Sequence, residues 1–237
     1  ATPAFQPDLQ ELGSSPHSPL DENTSANDDA IGKESATGPV RFATYNVAMN
    51  RKIAGGIVAS LKGGKLLAGR QVAEIVQRVR PHVLLLNEVD FDEDHQSIQI
   101  LREKYFAVSQ SGQTPIRYPY YFASTVNTGE PSGMDLDLDG SIGGPGDGFG
   151  FGQFPGQYGM VVLSQFPIDR NAVRSLQTFL WKDMPDAAWP VDPTTRKPVY
   201  SADVMEGFRL SSKSHWDVPI RVRDEVIHFL VCHPTPP

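Results

Sequence analysis

The chain has 237 residues, 39% apolar and 9% aromatic, enough to pack one large domain or two small ones. It contains no run of about 18 apolar residues, which excludes a membrane-spanning helix of ordinary composition, and a single cysteine, Cys232, excludes an internal disulfide. The net charge of −7 is concentrated in residues 1–39, where seven acids face Lys33 alone, so acidity says little about what the remainder binds.

Residues 1–39 are rich in Pro, Ser, Asn and acids and read as a disordered acidic arm or linker. The opening ATPAF lacks the charged and apolar regions of a signal peptide. An alanine start fits a mature chain after signal removal, so export to the periplasm or the medium is expected. Order is predicted from Val40.

Residues 40–48 read as a strand that delivers Asn46. Residues 51–68 hold two Gly pairs and read as a loop with short turns. Val72, Ile75, Val76 and Val79 fall at i, i+3, i+4 and i+7, the spacing of one helix face, and Pro81 stops that helix. The unbroken apolar run of 83–89 predicts a central strand covered on both faces, delivering Asn87 and Glu88 at its end. Ile98, Leu101 and Tyr105 predict a second helix over 96–106. Residues 127–157 form a long insert with ten of the 21 glycines, and an insert of that length is either functional or disordered.

A second apolar strand follows at 159–164, then a stretch over 165–200 with scattered Trp, Pro and Asp and no clear element. Val218, Ile220 and Val222 alternate, residues 223–225 turn, and 226–232 return as a strand in which Cys232 reads as a small buried hydrophobe. The order strand, helix, strand, helix, then mostly strands predicts an α/β (α+β) fold: a two-sheet β-sandwich flanked by helices. No GxGxxG or GxxxxGK[ST] motif is present, which argues against a nucleotide-cofactor fold.

Two groups of residues carry candidate chemistry. Asn46 and Glu88 would each, alone, merely cap a strand end. Together, at the same ends of neighbouring strands, they form a metal and phosphate site, because ligands in open α/β sheets sit beyond the carboxyl ends of strands. Oxygen donors suit Mg²⁺ (or Mn²⁺), which takes one or two carboxylates and leaves other positions to water and phosphate. The second group is Asp135, Asp137 and Asp139 followed by Gly140, the opening of an EF-hand-like loop. Ile142 stands where such loops carry an apolar residue. The twelfth position is Gly146, not glutamate, and Asp147 comes one residue late. This segment reads either as a Ca²⁺ site, with Asp147 as a fourth ligand, or as a solvated turn.

Other residues point less clearly. His82, His95 and His228 lie in or beside regular elements and read as locally satisfied. Trp181, Trp189 and Trp216 pack or line a cleft. Basic residues are scattered without an aromatic-interleaved stripe, so the footprint of a nucleic-acid binder is faint.

The series TYNVAMN, RPHVLLLNEVD, QYGMVVLSQFPI and a strand ending in His233 resembles the endonuclease/exonuclease/phosphatase family, which includes deoxyribonuclease I-like enzymes, sphingomyelinases and inositol-phosphate phosphatases. The resemblance runs from Val40 to the last residue. DLDLDG, FPGQYGMVVLS, RLSSKSHWDVP and HPTPP resemble a bacterial, often exported branch. The resemblance implies that Glu88 binds metal, that Asn46 orients phosphate and metal-bound water, and that His233 contacts the phosphate. SHWDVP resembles the segment where the nuclease branch holds a phosphate-binding arginine, so His215 or Lys213 serves in its place. Tyr158 and Gly159 match a structural approach to the following strand.

The resemblance also implies two later motifs, Gly-Asp-x-Asn and Ser-Asp-His, that this sequence does not contain. Residues 40–237 are therefore expected to be a domain lacking its C-terminal third, inactive alone and completed by a second polypeptide, a C-terminal fragment of the same protein. The completed domain is expected to hydrolyse a phosphomonoester or phosphodiester. The alternatives are a secreted nuclease, or a non-catalytic calcium-binding module of the same fold.

Overall fold

The computed structural model describes residues 38–234, so the acidic arm read at residues 1–39 lies almost wholly outside the described residues. Four strands make the first sheet: β1 (Phe42–Asn46), β2 (Val83–Asn87), β3 (Tyr120–Phe122) and β4 (Met160–Ser164). Their order is β1-β2-β4-β3; β1 and β2 run parallel, and β4 is antiparallel to both its neighbours. The second sheet orders β5 (Arg174–Ser175), β6 (His215–Val222) and β7 (Glu225–Cys232), all antiparallel.

The predicted two-sheet architecture follows from the side-chain pattern of β2 and β4, in which every residue is buried. Alternate residues face opposite ways along a strand. Leu84, Leu86, Val161 and Leu163 meet the helices, while Val83, Leu85, Met160 and Val162 meet Trp216, Val218, Ile220 and Val231 of the second sheet. A continuous apolar run is what a strand covered on both faces requires. The helices cover the first sheet only. Among the described residues none lies on the outer face of β6 and β7.

The helical layer is α1 (Gly56–Leu61), α2 (Leu67–Val79) and α3 (Gln96–Ile100), the last running on as a π-helical turn over Leu101–Phe106. A fourth short helix, α4 (Ala202–Gly207), stands apart and is capped by the Ser201 hydroxyl, which accepts the Val204 amide. Helix α1 corrects the reading of 51–68 as loop. Gly55 caps it and Gly56 is its first residue, the second Gly pair follows it, and the buried Ile57 and Leu61 dock it.

Helix α2 matches its prediction, but not the predicted face. Val72 and Val76 are buried with Ala73 and Gln77, while Ile75 and Val79 are exposed. The buried stripe includes Gln77 because its amide donates to the Phe106 and Val108 carbonyls and its oxygen accepts the Gln110 amide. A polar side chain with its partners supplied is as buriable as a valine. Cys232 is corrected too. It is exposed, because it falls on the outward register of β7 with Val226, His228 and Leu230.

The histidines read as satisfied have partners. His95 Nδ1 lies 3.2 Å from the Tyr121 hydroxyl, and His228 pairs with Asp217, which also holds Arg174. His82 Nδ1 accepts the Arg41 amide at 2.9 Å. Burial lowers the proton affinity of His82, and the nearby Arg41, Arg80 and Arg223 charges lower it further. The unfolded chain therefore binds this proton more tightly than the folded one. The stabilisation is full above the ordinary histidine value near 6.5 and is lost as pH falls through it. The thermal midpoint is expected to drop between about pH 7.5 and pH 5.5, and to drop less in His82→Gln, whose amide oxygen can still accept from Arg41.

Candidate functional site

Beyond Asn46 and Asn87, which face each other in register, β1 and β2 turn away together. Glu88 takes a left-handed backbone conformation with φ 63°, unusual for a residue with a side chain. The turn is fixed on both sides: the Met49 amide donates to the Glu88 carbonyl at 2.8 Å, and the Val89 amide donates to the Gly159 carbonyl at 3.2 Å. Its result is that the Asn46 Nδ2 donates to Glu88 Oε1 at 2.9 Å, while Asn46 Oδ1 accepts the Ala48 amide. Tyr158 and Gly159 lead into β4 at this same end. A Cβ on Gly159 would lie 2.8 Å from the Val89 carbonyl, so this position needs glycine for close backbone approach.

Asp90 lies beneath this turn and was not singled out in the sequence. It is 2% exposed, and its two oxygens accept the Arg51 amide at 2.6 Å and the Tyr158 amide at 3.1 Å. One carboxylate thus ties the loop after β1 to the loop before β4. Burial pushes its carboxyl above the ordinary range, and the two amide bonds pull it back. Gln157 adds a second tie, donating to the Arg51 carbonyl and accepting the Gln153 amide.

The second sheet closes the other side. His215, which opens β6, pairs with Cys232, which ends β7, so Lys213 and His233 are delivered at one end of that sheet. His233 Nε2 lies 3.9 Å from Glu88 Oε1. Burial and the Lys213 charge lower the proton affinity of His233, against the pull of Glu88. Lys213 is only 7% exposed. Burial lowers its pKa, the Glu88 charge opposes that, and among the described residues it forms no salt bridge. Asn46, Glu88, Lys213 and His233 therefore form one cluster drawn from both sheets. Two buried polar atoms at this end have no hydrogen-bond partner, Asn87 Oδ1 and His233 Nδ1. Such atoms normally meet a ligand, ion or water.

His215 is not part of this cluster. It lies on the outward register of β6, with Asp217 and Pro219, while Trp216 faces the core. It lines a neighbouring cleft with Trp181, Phe208 and Pro234. Of the two candidates for the arginine position, the lysine is the one whose charge reaches Glu88. Lys213 lies in the bend at 212–213, ahead of β6, so the path of that bend and not strand alternation brings it to the site.

The glycine-rich insert folds around Asp147. Thr128 bridges Gly150, and Pro131 bridges Gly148. Carboxylate oxygens of Asp135, Asp137 and Asp139 come within 4.8 Å of one another. Gly140 has φ 88°, the sharp turn that a sixth-position glycine provides in calcium loops. Asp135 Oδ1 is buried without a partner. Asp147 corrects its assignment as a fourth ligand. It is 3% exposed, its Oδ1 accepts the Leu136 and Asp137 amides, and its Oδ2 accepts the Gly143 amide. These bonds hold its carboxyl below the ordinary range. It organises the loop from beneath and does not join the triad.

The Endonuclease/Exonuclease/phosphatase family profile matches residues 43–236, well over half of the chain. The chain belongs to the endonuclease/exonuclease/phosphatase family. Members of that family are generally phosphoesterase- or nuclease-type hydrolases that use a divalent metal. No curated protein matches the sequence. Among the solved structures similar to it are two, each at 15% identity. One is an endonuclease/exonuclease/phosphatase family protein from Leptotrichia buccalis, with a TM-score of 0.41 over 83% of this chain and 55% of that one. The other is an endonuclease/exonuclease/phosphatase from Beutenbergia cavernae, with a TM-score of 0.35 over 81% of this chain and 37% of that one. The chain thus spans about half the length of the first of these and less of the second.

The bonding of Asp147 gives a direct test. Asp147→Ala leaves three backbone amides of the insert without an acceptor. Limited proteolysis is expected to cut within residues 135–147 severalfold faster than in the parent chain, while far-ultraviolet circular dichroism stays unchanged.

Proposed function

We propose that the chain forms most of a metal-dependent phosphoester hydrolase that cleaves small or lipid phosphomonoesters or phosphodiesters. The observation that carries this reading is the Asn46–Glu88 pair, with Lys213 and His233 brought against it from the second sheet. Hard cations prefer oxygen donors, and one protein carboxylate with water and phosphate is an ordinary Mg²⁺ environment. Glu88 has one oxygen held by Asn46 and the other available, so the residues fit Mg²⁺ or Mn²⁺. Glu88 would hold the ion, with Asn46 fixing its orientation. When bound, the cation would offset negative charge on the phosphoryl oxygens.

The protein's own groups do the rest. The Lys213 ammonium, buried and without an acid in ion-pair contact, would pair with a phosphate oxygen. His233 would donate to a non-bridging oxygen, and its depressed proton affinity would keep it neutral near pH 7. Asp90 would keep the three loops in register under the substrate. Residues 40–237 carry almost no net charge, which favours a small or lipid ester over a polynucleotide. A nuclease would instead show steep loss of binding with salt.

We also propose that the acid and amide of the family's two later motifs come from a further segment of polypeptide. Val226 and Leu230, 53% and 74% exposed on the outer side of β7, are the surface it would cover. For the glycine-rich loop we propose Ca²⁺ as the ion, on the strength of the three gathered carboxylates and the orphaned Asp135 Oδ1.

In the completed domain, Glu88→Gln is expected to cut Mg²⁺-dependent hydrolysis of nitrophenyl phosphate or bis-nitrophenyl phosphate by about 10²-fold or more, beyond the roughly 10–100-fold that a supporting residue costs. A near-normal rate would overturn the site. Equal turnover by this chain alone would overturn the need for completion. Calorimetry is expected to record heat on Ca²⁺ addition that Asp137→Asn abolishes, and a silent titration of the parent chain removes the calcium proposal.

A further inference from the structure

A cleft of about 320 Å³ opens beside the phosphate end, lined by Phe149, Trp181, Phe208, Arg209, His215 and Pro234. Its position ties it to the cluster. Pro234 follows His233 directly, and Ser212, which also lines the cleft, precedes Lys213. The wall is an aromatic stack built on loop backbone. Trp181 lies 4.5 Å from Trp189 at an interplanar angle of 30°, and Phe208 lies 5.8 Å from Trp181 and 5.5 Å from Tyr200. The stack is preformed, because the Trp181 amide donates to the Phe208 carbonyl at 2.9 Å and Leu180 bridges Arg209.

These rings are not core. Trp181, Phe208 and Phe149 are half-buried, unlike Trp216, which is wholly enclosed between the sheets. The cation in the cleft is already engaged. Arg209 lies 3.9 Å over the Phe149 ring and donates to Asn127 Oδ1 at 2.6 Å. What the cleft offers is mostly flat: ring faces, a guanidinium plane and an imidazole, with Ser211 and Ser212 as its other polar residues. Burial lowers the proton affinity of His215, which favours its neutral ring. Pockets of this size with mostly apolar walls and few polar points are typical of small-ligand sites. Flat walls favour a flat occupant, since offset-stacked and edge-to-face ring pairs gain beyond the area they bury.

We propose that this cleft receives the alcohol side of the phosphoester, and that the group it selects is a planar aromatic or heteroaromatic ring. The proposal rests on the phosphoester reading of the Glu88 cluster and adds the substrate class to it. The phosphoryl group would sit between Lys213, His233 and Glu88, and the ring would lie against Trp181 and Phe208.

The test uses non-hydrolysable phosphonates and calorimetry on this chain in the presence of Mg²⁺. 1-Naphthylmethylphosphonate is expected to bind at least tenfold more tightly than methylphosphonate or n-octylphosphonate. Trp181→Leu, which keeps an apolar side chain but removes the ring, and Phe208→Ala are each expected to erase the naphthyl advantage. Methylphosphonate, which carries no ring, is expected to bind parent and variants alike, and this reports that the variants remain folded. Octyl binding as tight as naphthyl binding, or a naphthyl advantage that survives both substitutions, would overturn the ring subsite alone. No binding of any phosphonate would overturn the phosphoester reading beneath it.

Discussion

The parallel register of β1 on β2 is the constraint on which the site depends. Asn46 faces Asn87 across the ladder, so the next residues leave the sheet at the same height. A slip of one residue would turn every side chain of β1 to the opposite face and take Asn46 away from Glu88. The left-handed backbone at Glu88 costs on the order of 1–3 kcal/mol, a strain that persists only where the surroundings over-determine it. Here they do: both flanking peptide groups are bonded to neighbouring loops, and the Asn46 amide holds the carboxylate itself. A conformation that unfavourable is kept because it aims an acid outward from the end of an otherwise apolar sheet.

The second constraint is that the two sheets contribute unlike chemistry. The first supplies a carboxylate and an amide on tightly braced loops. The second supplies a lysine and a histidine whose burial works against their positive charge. A desolvated lysine beside a carboxylate, with a neutral imidazole as donor next to it, is poised for an anion that brings its own charge. The apolar layer between the sheets, centred on Trp216, Val218 and Ile220, keeps these halves at a fixed separation. Packing between sheets is thus what sets the geometry between Glu88 and His233.

Much of the fold was legible in the sequence because its signals were local. The apolar runs at 83–86 and 160–163 can only be strands covered on both faces, and the 223–225 turn separates two alternating segments. What was not legible depended on partners distant in sequence. Gln77 is buried because Phe106, Val108 and Gln110 supply its bonds. Asp90 looks like any acid after a strand, and its role follows from amides 39 and 68 residues away. Lys213 and His215 could not be told apart by composition, since the choice lies in the bend before β6, which carries Lys213 to the site while His215 stands on the outward register. Proximity of Asp147 in sequence to three other aspartates says nothing about which backbone amides fold over it. The aromatic stretch at 181–208 had no periodicity to read, because it packs as a platform and not as a helix or strand.

Strand β7 has one consequence of its own. It is the last strand of its sheet among the described residues, so one line of its backbone N–H and C=O groups faces away from any ladder partner. Such a border accepts an added strand readily. His233 stands at the tip of this border strand, 3.9 Å from Glu88. Any chain that zips onto β7 would stiffen the mount of that imidazole, so sheet extension at the rim and ligand grip at the tip are mechanically the same event.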